Sequence, residues 1–251
     1  RKISFTGSAE VGEQICSLAG LKRITMELGS NSPVIVLDDA DPKKVAKSLA
    51  ITGFSNAGQV CISSQRIFAT PKIHDDLLDS LSTEVGKLSA GNQLDEQFDI
   101  GPLIRENDAV RVEECLAQAR SQGAEILCGG DRQGAVIQPA VLSNVKKGMR
   151  ISHEELFGPA IGITKTSNIE EAINLANDTR FGLSASVFTE DINKAIRFAN
   201  EVDSGNLHIN FGTAWRAENM PYGGLKNSGI GKEGPKYAIN EMTETKMVII
   251  H

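Results

Sequence analysis

The residues best equipped for covalent chemistry in this chain are Cys61, inside the run FSNAGQVCISSQR from Phe54 to Arg66, and Glu27, inside MELGSNSP. Cys61 has small polar neighbours, with Asn56, Gly58 and Gln59 before it and Ser63 and Ser64 after it. A thiol in such a segment is open to a substrate, and backbone dipoles there can favour its thiolate, the form that attacks a carbonyl carbon. A lone loop cysteine is, as a class, more often inert than catalytic, so the local sequence leaves both readings open. Glu27 lies 34 residues earlier, at a strand-to-loop transition where α/β proteins tend to place functional groups. Its carboxylate could activate water against a thioester, although a glutamate there is, taken alone, more often an ordinary solvated strand end.

Two further clusters could hold a ligand. Phe5-Thr6-Gly7-Ser8 is a strand end leading into a helix expected over 10–19. A glycine, a hydroxyl and free helix amides suit a phosphate oxygen, although a plain N-cap serine uses the same pattern. In Glu154-Glu155-Leu156-Phe157-Gly158-Pro159, a carboxylate could hold ribose hydroxyls and a phenyl edge could pack on a flat ring. The same residues also describe a charged loop with a core phenylalanine. Gly229 to Gly234 matches GxGxxG formally, but it follows no expected strand and lacks the acidic residue beyond, so it reads as a flexible turn. The four histidines form neither a metal-ligand spacing nor a thiol–histidine motif, so no metal is expected.

These groups need a frame, and strand-like and helix-like patterns alternate from end to end. Helices are expected over 73–88, 106–122, 169–177 and 192–202, the third opened by Asn168 with Glu171 three residues on. Asp41 as N-cap with Pro42 at the first helical position starts another, with Val45, Ala46, Leu49 and Ala50 as its apolar stripe. That helix leads directly into the Cys61 loop. Short β-type runs over 24–28, 33–37, 67–69, 124–127, 161–164, 184–188 and 207–209 complete the alternation. The pattern predicts an α/β fold, a mainly parallel sheet with helices on both faces. A last β-type run, 245–250, has no hairpin partner nearby and is expected to pair with another subunit's edge.

Composition narrows the class. With 251 residues, 40% hydrophobic and 23% charged, the chain can bury a full core. A net charge of −6 with no basic stripe argues against nucleic acid and against an anionic membrane surface. No apolar run is long enough to span a bilayer. Four scattered cysteines without a CxxC pair fit a reducing, cytoplasmic setting. The chain opens at Arg1 with a strand-like run and no initiator methionine, which predicts an internal start within a longer polypeptide.

Taken together, FTGS, MELGSNSP, FSNAGQVCISSQR, EELFGP and MPYGGLKNSGIGKEG resemble, in order and spacing, the aldehyde dehydrogenase superfamily. The resemblance runs from Arg1 to about Ile250 and implies a hydrolytic enzyme that oxidises an aldehyde to a carboxylic acid with NAD or NADP. It implies that Cys61 captures a small aldehyde substrate as a thiohemiacetal, that its backbone amide helps stabilise the oxyanion, and that Glu27 is the base for thioester hydrolysis. Glu155 and Phe157 would hold the nicotinamide ribose, Gly7 and Ser8 the pyrophosphate, and Leu28-Gly29 would back the ring. Phe211 and Arg216 are candidate substrate residues, and Glu233 a candidate proton relay. Residues 1–29 would be a remnant of the dinucleotide-binding domain, 30–227 the catalytic domain, and 228–251 a return segment with an oligomerisation strand, making a homodimer or homotetramer. Since family members carry most of the dinucleotide domain in a preceding segment, this chain alone is expected to bind cofactor poorly and turn over little aldehyde. Gly29-Ser30 replaces the family's usual double glycine, and the short interval between Ser8 and Glu27 resembles branches that act on small oxygenated or anionic aldehydes. Alternatives are coenzyme A acylation, which a retained Glu27 disfavours, a cofactor-free thiol esterase, and a non-catalytic assembly module.

Overall fold

The computed structural model describes residues 1–251. Its main sheet has seven strands in the order Asn206–Ile209, Ser184–Phe188, Pro33–Val36, Arg66–Ala69, Ala160–Lys165, Ala140–Ser143 and Glu125–Cys128. The first six run parallel, and Glu125–Cys128 closes one edge antiparallel. Alternate residues of one strand face opposite sides. Val34 and Val36 therefore enter a large core with helices α2 (Pro42–Phe54), α3 (Pro71–Val85) and α4 (Glu106–Ser121). Ile35 and Leu37 face a second core under α6 (Ile169–Asn177) and α7 (Ile192–Glu201). Both sheet faces are covered, which is why these strands read as continuous apolar runs.

A separate small sheet carries the FTGS and MELGSNSP runs. Lys2–Thr6 and Arg23–Glu27 pair in parallel, joined by α1 (Ala9–Leu18), and Gly229–Ile230 pairs antiparallel with Arg23–Glu27, setting Gly229 opposite Glu27. Gly229–Gly234 is therefore not the free turn that its composition suggests. Its first two residues are a strand, and Glu233 bridges Tyr222. Sequence could not reveal a partner strand some 200 positions away.

Segment 245–250, expected to pair with another subunit's edge, has no such partner in the single chain. It forms no strand, and Met247, Val248, Ile249 and Ile250 are exposed. A lone extended run gains nothing until another edge supplies hydrogen bonds, and within this chain none does. Just before it, Pro235–Met242 forms a helix (α8) that the sequence reading missed, with Pro235 in the first turn after Gly234.

Candidate active site

Delivery of Cys61 begins with the N-cap of α2. Asp41 Oδ1 accepts the Lys43 and Lys44 amides at 2.9 and 3.3 Å, and Pro42 fixes the first turn. The helix ends at Phe54, and Asn56 and Ala57 take left-handed backbone angles, φ of 51° and 57°, that swing the chain across the sheet's end. Gly58 follows with φ 69°; a Cβ there would lie 2.2 Å from the Gly158 carbonyl oxygen, so only glycine lets the two loops close. Behind the thiol, the Thr213 hydroxyl donates to the Ile62 carbonyl at 2.7 Å and also meets Ser64 Oγ at 2.9 Å, tying the loop to a buried anchor.

Glu27 ends its strand in the small sheet. Its carbonyl accepts the Gly7 amide at 3.0 Å, and Leu28 donates to Ser228 at 2.9 Å, so the backbone at this point is held on both sides. The carboxylate is buried, and neither oxygen has a hydrogen-bond partner. Burial pushes its pKa up to about 8; the Glu233 carboxylate adds to the rise, and Lys232 and Arg216 oppose it. A carboxyl poised there can act as a base near neutral to mildly alkaline pH.

Cys61, Glu27, Leu28, Gly29, Gly7, Ser8, Glu155 and Phe157 all line one cleft of about 1400 Å³. Ser8 does two things there, since its hydroxyl also caps α1 by accepting the Val11 amide at 3.4 Å. Glu155 Oε1 accepts the Ser30 amide at 3.0 Å, and burial pushes its carboxyl upward against that bond and the Arg111 charge. Gly29 lies flat beneath it; a Cβ on Gly29 would stand 2.3 Å from Glu155 Oε2. Phe157 adopts φ 46° and stays part-exposed, its ring available to the cleft instead of the core.

Three expectations change. The thiolate of Cys61 is not favoured by its surroundings. Burial pushes the thiol up, and the Glu27 and Glu155 charges push it further. Phe211 lies in a different hollow, beside Lys44 and Ile51, where its carbonyl accepts the Ser186 hydroxyl. Arg216 is also outside the Cys61 cleft, because its guanidinium bonds Glu233 at 2.8 Å and stacks 4.5 Å above the Tyr222 ring. That pairing accounts for Glu233 as well, which faces Arg216 and acts on Glu27 through space.

Tyr222 is the residue sequence reasoning passed over. Buried at 4% exposure, its hydroxyl lies 3.5 Å from Cys61 Sγ, and this contact is the one influence that favours the thiolate through a side chain. The signal was its place in MPYGG, one of only two tyrosines in the chain. Tyr222→Phe is expected to slow iodoacetamide capture of Cys61 at about pH 8 by roughly 3- to 10-fold, through loss of thiolate. Mass-spectrometric rates across pH test this, and an unchanged rate at that pH would mean the hydroxyl does not support the thiolate.

Known proteins share this sequence and fold. A sequence model of the aldehyde dehydrogenase family matches residues 1–248. The chain is 47% identical over 248 residues to a 3-sulfolactaldehyde dehydrogenase of Priestia megaterium, covering 99% of this chain and 52% of that protein. It is 45% identical over 249 residues to a lactaldehyde dehydrogenase of Methanococcus maripaludis, covering 99% and 53%. Among solved structures, glyceraldehyde-3-phosphate dehydrogenase GapN of Methanocaldococcus jannaschii, complexed with NADP, superposes with a TM-score of 0.97 at 42% identity over 100% of this chain and 54% of that one. The chain thus spans about half the length of the curated relatives it matches. Similarity of this depth over nearly every residue, on the fold and cleft described above, makes this chain a member of the aldehyde dehydrogenase family.

Proposed function

We propose that this chain carries the catalytic residues for oxidation of a small aldehyde to a carboxylic acid with NAD or NADP. The observation that carries this reading is the single cleft that Cys61 and Glu27 both line. The thiolate fraction of Cys61, its proton given up to water, attacks the aldehyde carbon through Sγ to form the tetrahedral thiohemiacetal oxyanion. The Cys61 backbone amide stabilises the developing oxyanion. When bound, the nicotinamide supplies the acceptor for the hydride that leaves this carbon. Glu27 then takes a proton from water, the hydroxide attacks the Cys61 thioester, and the acid departs with the sulfur restored as thiolate. Coenzyme A acylation and a purely structural role are not favoured, because a buried base in the cleft has work only in hydrolysis.

The cleft suits the cofactor in shape and donors. Glu155 would hold ribose hydroxyls and Phe157 would pack beside them, while Ser8 and the first turn of α1 would meet the pyrophosphate. The bare face of Gly29 leaves a flat surface for the ring, a position where any side chain would strike Glu155. Residues 1–29 contribute two parallel strands and one helix to the nucleotide side. These residues are read as part of the dinucleotide-binding domain, residues 30–227 as the catalytic domain, and 228–251 as the return segment. Self-association to a homodimer or homotetramer through 245–250 is supported by its exposed Met247, Val248, Ile249 and Ile250. Four free cysteines suit a reducing cytoplasm.

The functional reading is tested with the full-length polypeptide, lactaldehyde, 3-sulfolactaldehyde and glyceraldehyde 3-phosphate, following reduced nucleotide by absorbance. Oxidation of at least one, with release of free acid, is the expected result. No reduced nucleotide with any of them, using either NAD or NADP, would remove the reading.

A further inference from the structure

Cys61 takes the chemistry in FSNAGQVCISSQR, but the run ends in Gln65 and Arg66, two buried polar residues with no part in it. Gln65 immediately precedes the strand Arg66–Ala69. Its backbone is fixed from both sides, donating to the Ser32 carbonyl at 3.3 Å and accepting the Gly162 amide at 3.0 Å. From that platform its side-chain amide spans Glu155. Nε2 donates to the Glu154 carbonyl at 2.9 Å and the Ile151 carbonyl at 3.2 Å, and Oε1 accepts the Leu156 amide at 2.9 Å. The two carbonyls demand an NH₂ and the Leu156 amide demands an oxygen, so the amide's orientation is set by its partners.

The neighbouring side chains lock the same loop from behind. Arg66 donates to the carbonyls of Asn31, Ser152, Leu175 and Ala176 at 3.0–3.4 Å, without a carboxylate partner. Asn31 donates to the His153 carbonyl at 3.0 Å and accepts the Thr179 hydroxyl at 3.2 Å. Three separate chain segments that wall the cleft, around Gly29, Glu155 and Thr179, therefore converge on Gln65, Arg66 and Asn31. Loop backbone of this kind, following a helix of only four residues, α5 (Arg150–His153), has little regular structure of its own to hold it.

We propose that Gln65 is a positioning residue for cofactor binding: its amide clamps the peptide groups on either side of Glu155 and so sets where that carboxylate and Phe157 stand. The proposal rests on the functional reading above, in which Glu155 meets the cofactor ribose. Gln65→Asn draws the amide back by one methylene, and Gln65→Glu keeps the length but removes both donors. Either change frees the Glu154 and Ile151 carbonyls.

In the full-length protein, both variants are expected to raise the NAD(P) dissociation constant roughly 10-fold or more. Cofactor KM should rise by more than kcat falls. Hydrogen exchange supplies a readout independent of turnover. The Leu156 amide should lose protection in both variants, while strands Arg66–Ala69 and Ala160–Lys165 keep theirs. Retained Leu156 protection, or unchanged cofactor affinity beside a wild type that binds, would overturn the clamp. A wild type that binds neither NAD nor NADP would instead sink the functional reading, and the exchange comparison would still decide whether Gln65 holds the loop.

Discussion

Cys61→Ser is expected to lower aldehyde oxidation by about four orders of magnitude, with the fold and cofactor affinity retained. The substitution keeps a hydroxyl where the thiol stood, so steric change is small. Chemistry fails because the cleft has nothing to activate a hydroxyl. Among the residues lining it, His153 carries the only imidazole, and its Nδ1 is engaged with the Met149 carbonyl at 2.8 Å. Glu27 is protonated below about pH 8 and has no hydrogen-bond contact with residue 61. A thiol can act here without a dedicated base, since a small thiolate fraction is already a strong nucleophile, whereas a serine has no such reserve. Steady-state rates with lactaldehyde, alongside nucleotide titration, check this in the full-length polypeptide. Activity in Cys61→Ser within tenfold of wild type would show that the thiol is not the nucleophile.

Much of the frame was legible because it is local. The N-cap Asp41 with Pro42, the exposed-to-buried rhythm of α2 and the Asn168 cap of α6 depend on a few adjacent residues, and the structure keeps each. Cys61, Glu27, Glu155 and Phe157 stand in short runs whose local chemistry left an inert reading open, and the order and spacing of five such runs singled them out. What stayed hidden depends on distant segments. Tyr222 reaches Cys61 across 161 positions, and no local pattern announces that approach. Arg216 was a candidate substrate residue, and its partner in the fold, Glu233, lies on the far side of a glycine-rich excursion where no local pattern announces it. The run 245–250 has strand composition, yet composition cannot supply the neighbouring edge that a strand needs. Burial worked against inference in the thiol too. Small polar neighbours suggested an ionised sulfur, and the folded environment, with two carboxylates near and little water, pushes the other way.

Glu27→Gln is expected to separate the two halves of the reaction. Capture of aldehyde by Cys61 and the first release of reduced nucleotide should persist as a burst, and steady turnover should fall by roughly 10²- to 10⁴-fold because no base remains to draw water onto the thioester. In the wild type, the hydrolytic rate should climb with pH and level off near pH 8, where the carboxyl ionises. The variant should lose that limb. Stability should report the same group independently. The folded pKa of about 8 lies above the value near 4.3 of an unfolded glutamate, so the folded state holds the proton more tightly. Its contribution to stability is therefore present below the unfolded value and is lost as pH rises through the folded one. Glutamine cannot ionise, so Glu27→Gln should gain thermal stability relative to wild type on going from about pH 5 to about pH 9. Removing this charge also takes away one influence that raises the Cys61 thiol, so alkylation of Cys61 should quicken in the same variant. A melting-temperature difference that is flat across that pH range would place the ionised carboxylate in water, and the base assigned to thioester hydrolysis would have to be sought elsewhere.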